Sequence, residues 1–520
     1  MPLIDNECFL LDWDEFISLH KFYGEKDAII NLGKLTEEPW QEIKLAINKL
    51  LASHIGIFGN TWSGKSNTLA KIYTEVFNEC KNLTHFKEKS KFIIIDFNWE
   101  YVSDNMITDP NDKMIYKLST LSDEWEDRYV LPTKCINKLE ILSVLLEATE
   151  KTQVPFLSRA IANTYFNDND SYLDRVRGNI GNICKQALGK KEKGWATTII
   201  PDLLKDLIRI KSDDIDNPDT IINDLCREVE QKLEFHSHNN NEYYWRDGTT
   251  PVYNSVASPI YEKYIKAKVD NISFTTDPFT KLKLKIILNY YHDTIKWIAN
   301  PEHIRPLVWR MFKKIHMLEK LIELRDDAWD EANQRPKNLT IVSLKDVNTE
   351  MKKIIPLIVC KQLYDDQKKH SDQNKSLHII IDEAHNILSN MSQRESETWK
   401  DYRLETFEEI IKEGRKFGVF LTIASQRPYD ISTTIISQLH NYFIHRLMNN
   451  NDIEAIAKAV AYLDKFSFES IAVLSIGSCF VAWLASDIPI KVDIDLLDKD
   501  KQPMSQTLDL ENSWWYVPEV

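Results

Sequence analysis

The chain has 520 residues, too many for a single hydrophobic core, so we expect two or three domains. With 43% hydrophobic and 28% charged residues, its composition is that of an ordinary soluble globular protein, and its apolar runs fall far short of the roughly 18–20 residues that span a membrane. The formal net charge of −14 argues against a generally basic coat for nucleic acid, although it allows a local basic channel.

The seven cysteines are scattered, and no pair has the C-x-x-C spacing of a zinc ribbon. Free thiols of this kind are typical of proteins from a reducing compartment. The chain begins with an acidic stretch that lacks the character of a signal peptide. We therefore expect a cytoplasmic protein.

Residues 1–50 are short for an independent domain and predict a small N-terminal lobe that contains at least one strand. The stretch from Asp27 to Gly33 reads as a strand that ends in a turn, and the stretch from Trp40 to Ser53 has helical spacing. This lobe is either a small strand-rich unit or an incomplete one.

Residues 55–70, IGIFGNTWSGKSNTLA, contain the pattern G-x-x-x-x-G-K-[ST] at residues 59–66. The apolar run Ile55–Phe58 before the pattern predicts a buried strand, and the residues from Ser66 to Glu79 predict a helix. A chance glycine turn is the alternative interpretation. The order of strand, glycine-rich loop and helix instead predicts a phosphate site at the positive end of the helix.

In this loop, Gly59 and Gly64 allow backbone conformations that a side chain would forbid. We expect Lys65 to reach the β- and γ-phosphates of ATP, and Ser66 to offer its hydroxyl to Mg²⁺. The residues predicted to bind the nucleotide are Gly59, Asn60, Thr61, Trp62, Ser63, Gly64, Lys65, Ser66 and Asn67.

A second apolar run, from Phe92 to Asp96, is typical of a central strand in a parallel sheet. It is followed by Asn98-Trp99-Glu100-Tyr101, at the end of the strand where open α/β sheets place their ligands. Asp96 and Glu100 are therefore candidates for a water network around the nucleotide. Residues 114–118 predict a third strand.

Strand signals fade from about residue 133 to residue 335, and helical periodicity takes their place. We predict a helical insertion at 133–335 in an ATPase core that is formed by residues 51–132 and 336–497. Residues 498–520 form a tail that is too short to fold alone.

The core resumes after the insertion with apolar runs that end in polar residues. The predicted elements are strands at 339–344, 377–383, 419–426, 441–447 and 478–485, with helices at 351–363 and 407–416. The fold class is therefore α/β, a P-loop NTPase (RecA-like) core with a mainly parallel central sheet.

The strand at 377–383 ends in two acids, which is the expected second half of an ATPase site. We expect Asp382 to hold Mg²⁺, directly or through water, and Glu383 to act as the general base toward the attacking water. Gln426 ends the next strand and is a candidate sensor beside the γ-phosphate. A strand end with polar caps at the surface is the alternative for these residues.

Two arginines stand out near these strands. Arg415, in Glu413-Gly414-Arg415-Lys416, is either an arginine finger for a neighbouring subunit or a solvated helix end that complements the helix dipole. Arg446 is an unusual charge in an apolar strand and is either a sensor or an interface residue.

Taken together, these motifs resemble the HerA branch of the HerA/FtsK superfamily of ATPases. The resemblance covers about 55–130 and 338–495, roughly half of the chain, and depends on IGIFGNTWSGKSNT, IIIDFNWEY, EATEKTQVPFL, IIIDEAHNIL, EGRKFGVFLTIASQRP, NYFIHRL and LSIGSCFVAWLASDIPIKVDI.

The resemblance implies a homo-hexameric ring with active sites between subunits, which moves double-stranded DNA through its pore. It also implies a partner such as a nuclease or, in antiviral systems, a sirtuin-like effector. By position, Lys65 and Ser66 match the nucleotide and magnesium residues, Asp382 and Glu383 match the Walker B pair, Gln426 matches the sensor and Arg415 matches the arginine that acts in trans.

Three features depart from the family pattern. Relatives carry an N-terminal β-barrel of around a hundred residues, whereas 54 residues precede the first core strand here, so we expect that barrel to be curtailed or absent. Trp99 replaces the usual glycine of a "GEY" turn, which puts a catalytic role of Glu100 in doubt. Trp62 stands where the family tends to have glycine, and it either stacks near the base or covers the loop.

Two functions from different classes remain open at this point. The first is a hexameric motor that hydrolyses ATP to move double-stranded DNA. The second is a ring scaffold whose nucleotide state gates a partner effector without processive translocation, which the acidic net charge, the short N-terminus and the long insertion favour.

Overall fold

A computed structural model describes residues 11–121, 127–163, 171–211, 220–236, 242–247, 250–253, 257–326, 337–370, 374–391, 397–460, 463, 465–483 and 488–504. The chain divides into two compact units, one formed by residues 1–129 and 330–520 and the other by residues 130–329. The predicted helical insertion covers 133–335. The aromatic residues of the predicted tail, Trp514, Trp515 and Tyr516, lie outside the described residues.

The strands, in chain order, are β1 (Ile29–Leu35), β2 (Glu42–Ala46), β3 (Ile55–Phe58), β4 (Ser90–Asp96), β5 (Lys113–Ser119), β6 (Tyr129–Leu131), β7 (Leu233–His236), β8 (Glu242–Asp247), β9 (Thr250–Tyr253), β10 (Ile322–Leu324), β11 (Leu339–Asp346), β12 (Ser376–Ile381), β13 (Val419–Ser425), β14 (Asn441–Ile444), β15 (Ser478–Trp483) and β16 (Ile490–Ile494).

The α-helices are α1 (Trp13–Leu19), α2 (Ile47–Leu51), α3 (Lys65–Cys80), α4 (Thr84–Lys89), α5 (Leu139–Leu145), α6 (Gln153–Ala162), α7 (Tyr172–Leu188), α8 (Trp195–Lys211), α9 (Thr220–Lys232), α10 (Ala257–Ile260), α11 (Lys266–Asp270), α12 (Pro278–Ile295), α13 (Pro301–Leu321), α14 (Met351–His370), α15 (His385–Leu388), α16 (Glu397–Glu413), α17 (Thr433–Ser437), α18 (Asn450–Ala459) and α19 (Lys465–Ile471). A 3₁₀ turn at Gly414–Phe417 follows α16.

Within the described part of the first unit, eleven strands form one sheet in the order β2-β1-β16-β15-β14-β3-β13-β12-β4-β11-β5. The strands from β14 to β5 are parallel to their neighbours, whereas the strands from β14 to β2 are paired antiparallel. The predicted α/β fold with a mainly parallel sheet is thus confirmed. Strands β1 and β2, in the stretch predicted as an N-terminal lobe, extend this same sheet.

The central strands are buried because their sequences are almost continuously apolar. Every residue of β3 is buried, and so are Leu377–Ile381 in β12 and Phe92–Asp96 in β4. In β12, Ile381 lies opposite both Ile95 in β4 and Ile423 in β13. The carboxyl ends of parallel strands share one edge of the sheet, so the residues after β3, β4, β12 and β13 are brought together there.

One local prediction was wrong. The helical spacing from Trp40 to Ser53 gives way to strand β2, in which Ile43 and Leu45 are buried on one side while Glu42 is exposed, followed by the short helix α2. Pairing with β1 therefore overrides the local helical signal. The predicted helical insertion also contains a three-stranded antiparallel sheet, β7-β8-β9.

The second unit packs its helices around buried ionic groups as well as apolar side chains. Lys283 on α12 is 1% exposed, and its Nζ lies 2.8 Å from Glu319 Oε1 on α13. Asp206 on α8 is buried and accepts hydrogen bonds from Tyr291 and Arg305. No helix in the described parts of the chain is both long and apolar enough to cross a bilayer.

Candidate nucleotide site

The phosphate loop connects β3 to α3, and its two glycines are required for different reasons. Gly64 adopts φ 102°, and a Cβ there would lie 2.9 Å from the Gly477 Cα. At Gly59 the obstacle is space, because a Cβ would lie 2.5 Å from both the His445 Cβ and the Ser63 Oγ. The loop therefore tolerates no side chain at either position. The first amides of α3 have no partner within the helix and are available to an anion.

Lys65, the first residue of α3, reaches the acids at the end of β12. Its Nζ lies 2.7 Å from Asp382 Oδ1 and 3.3 Å from Glu383 Oε1, and all three side chains are buried. Burial by itself would lower the pKa of Lys65, but the charges of Asp382 and Glu383 raise it above its ordinary value. The structure thus brings together the predicted phosphate-binding lysine and both predicted acids.

Glu383 lies at the centre of a hydrogen-bond network. Gln426 Nε2 donates to Glu383 Oε1 at 2.5 Å, and Thr61 Oγ1 donates to Gln426 Oε1 at 2.6 Å. On the other side, His385 Nδ1 lies 3.2 Å from Glu383 Oε2. Gln426, which was predicted as a sensor, therefore connects the phosphate loop to the predicted base.

The carboxyl group of Glu383 is ionised over the whole physiological pH range. Burial would raise its pKa, but His385, Lys65 and Gln426 together lower it to about 2. Its backbone is also unusual, with φ 48° in the left-handed region. Such conformations cost on the order of 1–3 kcal/mol and are concentrated at functional sites.

The residues present fit a magnesium ion. Asp382 Oδ1 accepts hydrogen bonds from Lys65 Nζ and from the amide of Glu383, whereas Oδ2 is buried without a hydrogen-bond partner among the described residues. A hard cation prefers oxygen ligands and is usually held by one or two protein groups together with phosphates. The described residues contain no cluster of three or more His, Cys, Asp or Glu side chains that could hold a metal, so the ion would depend on the nucleotide and on Ser66 and Asp382.

The turn after β4 is organised by Asp96. Its buried carboxyl group accepts hydrogen bonds from the amides of Asn98, Glu100 and Tyr101 at 3.0–3.2 Å. Burial raises the pKa of Asp96 to about 6. Burial and the charge of Asp382 raise the pKa of Glu100 to about 7, an increase that the Ser66 hydroxyl and Lys65 partly offset. Glu100 therefore lies close enough to Asp382 and Lys65 for their charges to change its pKa.

Both tryptophans at the positions where the family resemblance predicts glycine have left-handed backbones, with φ 67° at Trp62 and 68° at Trp99. Trp62 is 64% exposed at the tip of the phosphate loop. Trp99 packs partly against the core, and the Nζ atoms of Lys345 and Lys117 lie 4.6 Å and 5.3 Å from its ring centroid. Both positions thus adopt a backbone conformation that favours glycine, although tryptophan occupies them.

Arg415 is not brought into the site of its own chain. It lies in the 3₁₀ turn before β13, and its Nη1 is 2.8 Å from His440 Nε2, just before β14. Gln426 follows the other end of β13, whose seven residues span roughly 20 Å. Arg415 and Gln426 therefore lie at opposite edges of the sheet.

Arg446, in contrast, lies next to the phosphate loop. Its carbonyl accepts a hydrogen bond from the Asn60 amide at 2.9 Å, and its Nε is buried without a partner among the described residues. Nearby, Thr61 and Gln426 border a cavity of about 530 Å³, which is also lined by Asn60, Arg427, Tyr429, Asp430, Met448, Asn449 and Asp452.

Two histidines at the site were not predicted from the sequence. His385 follows the two acids in Asp382-Glu383-Ala384-His385, so its contact with Glu383 could have been inferred from the spacing. His445 contacts both α3 and β15. Its Nε2 lies 2.9 Å from Thr68 Oγ1, and its Nδ1 lies 3.0 Å from the Ser478 carbonyl oxygen. Burial lowers the pKa of His445 to about 4, so it is neutral.

Comparison with known proteins gives matches along most of the chain. Residues 30–243 match the family model described as the central domain of helicase HerA. The chain is 22% identical over 485 residues to a probable helicase of Methanocaldococcus jannaschii, covering 92% of this chain and 69% of that protein. It is 27% identical over 183 residues to the DNA double-strand break repair helicase HerA of Saccharolobus solfataricus, covering 34% of this chain and 35% of that protein.

Among solved structures, the plasmid coupling protein TrwB in complex with ADP and Mg²⁺ matches with a TM-score of 0.46 and 10% identity, and 94% of each chain is covered. The residues matched by the family model include the phosphate loop and end before Asp382, Glu383 and Gln426.

Proposed function

We propose that the chain is a HerA-like P-loop ATPase and works as the subunit of a hexameric ring that hydrolyses ATP to translocate double-stranded DNA. The observation that carries this proposal is the convergence of Lys65, Asp382, Glu383 and Gln426 at one edge of the sheet. Phosphoryl transfer to water needs mainly positioning and neutralisation of charge, and these four side chains can supply both.

In the proposed mechanism, the amides of the phosphate loop and Lys65 bind the triphosphate. Ser66 and Asp382 would hold the magnesium ion, which neutralises charge on the β- and γ-phosphates. Gln426, held by Thr61, orients the attacking water, and Glu383 accepts its proton through a carboxylate oxygen.

We propose a ring because Arg415 does not lie near the γ-phosphate position in its own chain. Arg415 lies at the amino edge of the parallel strands, whereas the phosphate loop lies at the carboxyl edge. A second copy of the chain could bring its amino edge against this carboxyl edge, and a closed ring would repeat the contact. Arg415 would then stabilise the transition state in the neighbouring subunit.

We further propose that the ring works with a partner protein. The resemblance to HerA-type rings supports a nuclease or a sirtuin-like effector as partner, and a role in antiviral defence would follow from the second of these. The relative from Saccharolobus solfataricus is named for DNA double-strand break repair, which supports DNA as the substrate class.

The proposal is tested by measuring ATP hydrolysis of the purified assembly with and without double-stranded DNA. We expect stimulation by DNA and DNA binding that weakens steeply with salt, because phosphate contacts release counterions. A DNA motor would be excluded if DNA neither binds nor stimulates hydrolysis, both for the protein alone and for the protein together with the product of a neighbouring gene.

The formal net charge of −14 favours one alternative, a ring scaffold that gates an effector without translocation. Such a scaffold would form a stable complex whose effector activity responds to Glu383→Gln more strongly than to DNA. Measuring effector activity with the unsubstituted chain and with Glu383→Gln, each with and without DNA, separates the two functions.

A further inference from the structure

We propose that Ile476 and Leu496 form the subsite for the base of the bound nucleotide. This inference rests on the proposed binding of a nucleoside triphosphate at the phosphate loop. The two side chains are 68% and 76% exposed. Ile476 lies on a loop that is hydrogen-bonded to the phosphate loop, and Leu496 lies on a loop that is hydrogen-bonded to the first turn of α3. We call this pair the base shelf.

The direction of the triphosphate follows from the position of the catalytic groups. Lys65 and Glu383 mark the γ-phosphate end, and Glu383 and Gln426 follow β12 and β13, on one side of β3. The α-phosphate lies near the start of the helix, because the loop amides cradle the α- and β-phosphates. The ribose and base must then continue toward the other side of β3, where β14, β15 and β16 lie.

Two loops on that side are fixed against the phosphate loop by hydrogen bonds. The Gly477 amide donates to the Ser63 carbonyl at 3.0 Å, and the Ile494 amide donates to the Gly477 carbonyl at 3.0 Å. Asn67 Nδ2 donates to the Asp495 carbonyl at 3.2 Å. Asn67, which was predicted as a nucleotide ligand, therefore holds the loop that carries Leu496.

The exposure of the base shelf is built into the fold. Leu474 and Leu497, which lie next to these residues in the chain, are 2% and 7% exposed, so the two loops are anchored in the core. With these anchors in place, Ile476 and Leu496 are directed outward beside α3. Nucleotide bases are flat and largely apolar on their faces, and binding pockets for them are lined mainly by apolar side chains. A base packed on the shelf would remove both side chains from water.

The experiment compares ATP with inorganic tripolyphosphate, which has the phosphates but no base. Binding of each ligand with Mg²⁺ is measured by isothermal titration calorimetry on the full chain and on the variants Ile476→Ser and Leu496→Ser. We expect each variant to bind ATP about tenfold more weakly, and to bind tripolyphosphate with an affinity within about twofold of the unsubstituted chain. Thermal unfolding midpoints check that both variants are folded.

Leu83→Ser is the matched control. Leu83 is 57% exposed in the same unit, but it follows the opposite end of α3, so its substitution should change neither affinity. Equal ATP affinity in the shelf variants and the unsubstituted chain would overturn the base shelf, as would equal weakening of both ligands. A change of mass in solution without a change in ATP affinity would show instead that the shelf is a contact between subunits. If the unsubstituted chain binds neither ligand, the proposed function itself fails.

Discussion

Replacing Trp62 and Trp99 by glycine, one at a time, should change the free energy of unfolding in opposite directions. The two residues have nearly the same φ, 67° and 68°, so the same backbone strain is relieved in each variant. That relief is about 1–2 kcal/mol, and the added freedom of glycine in the unfolded chain takes back about 0.5–1 kcal/mol. The backbone contribution to each substitution is therefore a net gain of about 0–1.5 kcal/mol.

The side chains decide the sign. Trp62 is 64% exposed, so its loss removes little packing, and Trp62→Gly should be neutral or stabilising by up to about 1 kcal/mol. Trp99 packs against the core and lies near the ammonium groups of Lys345 and Lys117. Each cation–π contact contributes about 0.5–1 kcal/mol, and truncating a fully buried Trp costs about 3–5 kcal/mol. Trp99 is partly buried, so its packing contributes less than that, and Trp99→Gly should lose about 2 kcal/mol.

The assay is unfolding of the full chain without nucleotide, followed by circular dichroism during heating. For a unit of about 320 residues, 1 kcal/mol corresponds to about 1.5 °C, so the two variants should differ by a few degrees. A Trp62→Gly variant that is as destabilised as Trp99→Gly would refute the reasoning. It would mean that the exposed ring has contacts that outweigh the strain of its backbone.

Three further predictions concern the site and the second unit. Glu383→Gln should retain ATP binding and abolish turnover, whereas Lys65→Ala should abolish binding; filter binding and phosphate release check both, and retained turnover in Glu383→Gln would place the base elsewhere. Arg415→Ala should bind ATP normally but hydrolyse it slowly, and mixing it with Glu383→Gln subunits should restore turnover only if the arginine acts in trans. Lys283→Met should cost about 3–5 kcal/mol of stability in chemical denaturation, because the buried Glu319 loses its ion pair with Lys283, and Lys283→Met with Glu319→Leu should recover most of that loss.

The sequence predicts those parts of the fold in which local pattern and tertiary environment agree. Apolar runs that end in Asp96, Asp382 and Gln426 are buried strands of a parallel sheet, and their ends meet because parallel strands share an edge. The assignment of roles at those ends remains a prediction.

The parts that could not be predicted depend on contacts distant in sequence or on backbone angles. Gly33 in β1 lies opposite Ile494 in β16, a pairing that places the predicted N-terminal lobe in the main sheet and that no local pattern indicates. The left-handed φ of Trp62 is likewise not a property of tryptophan. It is imposed by the loop, which must keep its turn whatever residue occupies that position.

The contacts of Glu383 also explain how a strongly acidic carboxyl group could act as a base. A general base works best when its pKa is near the working pH, and a pKa of about 2 is far below that. Two of the groups that lower this pKa, Lys65 and Gln426, are also the groups that we expect to bind the γ-phosphate and the attacking water. When they turn to those partners, His385 still lowers the pKa of Glu383, but burial, which is the largest of the effects, raises it. The triphosphate would thus increase the basicity of the carboxylate at the moment when a water molecule is in place to give up a proton to it, and the ion pair with Lys65 would restrain the base until then.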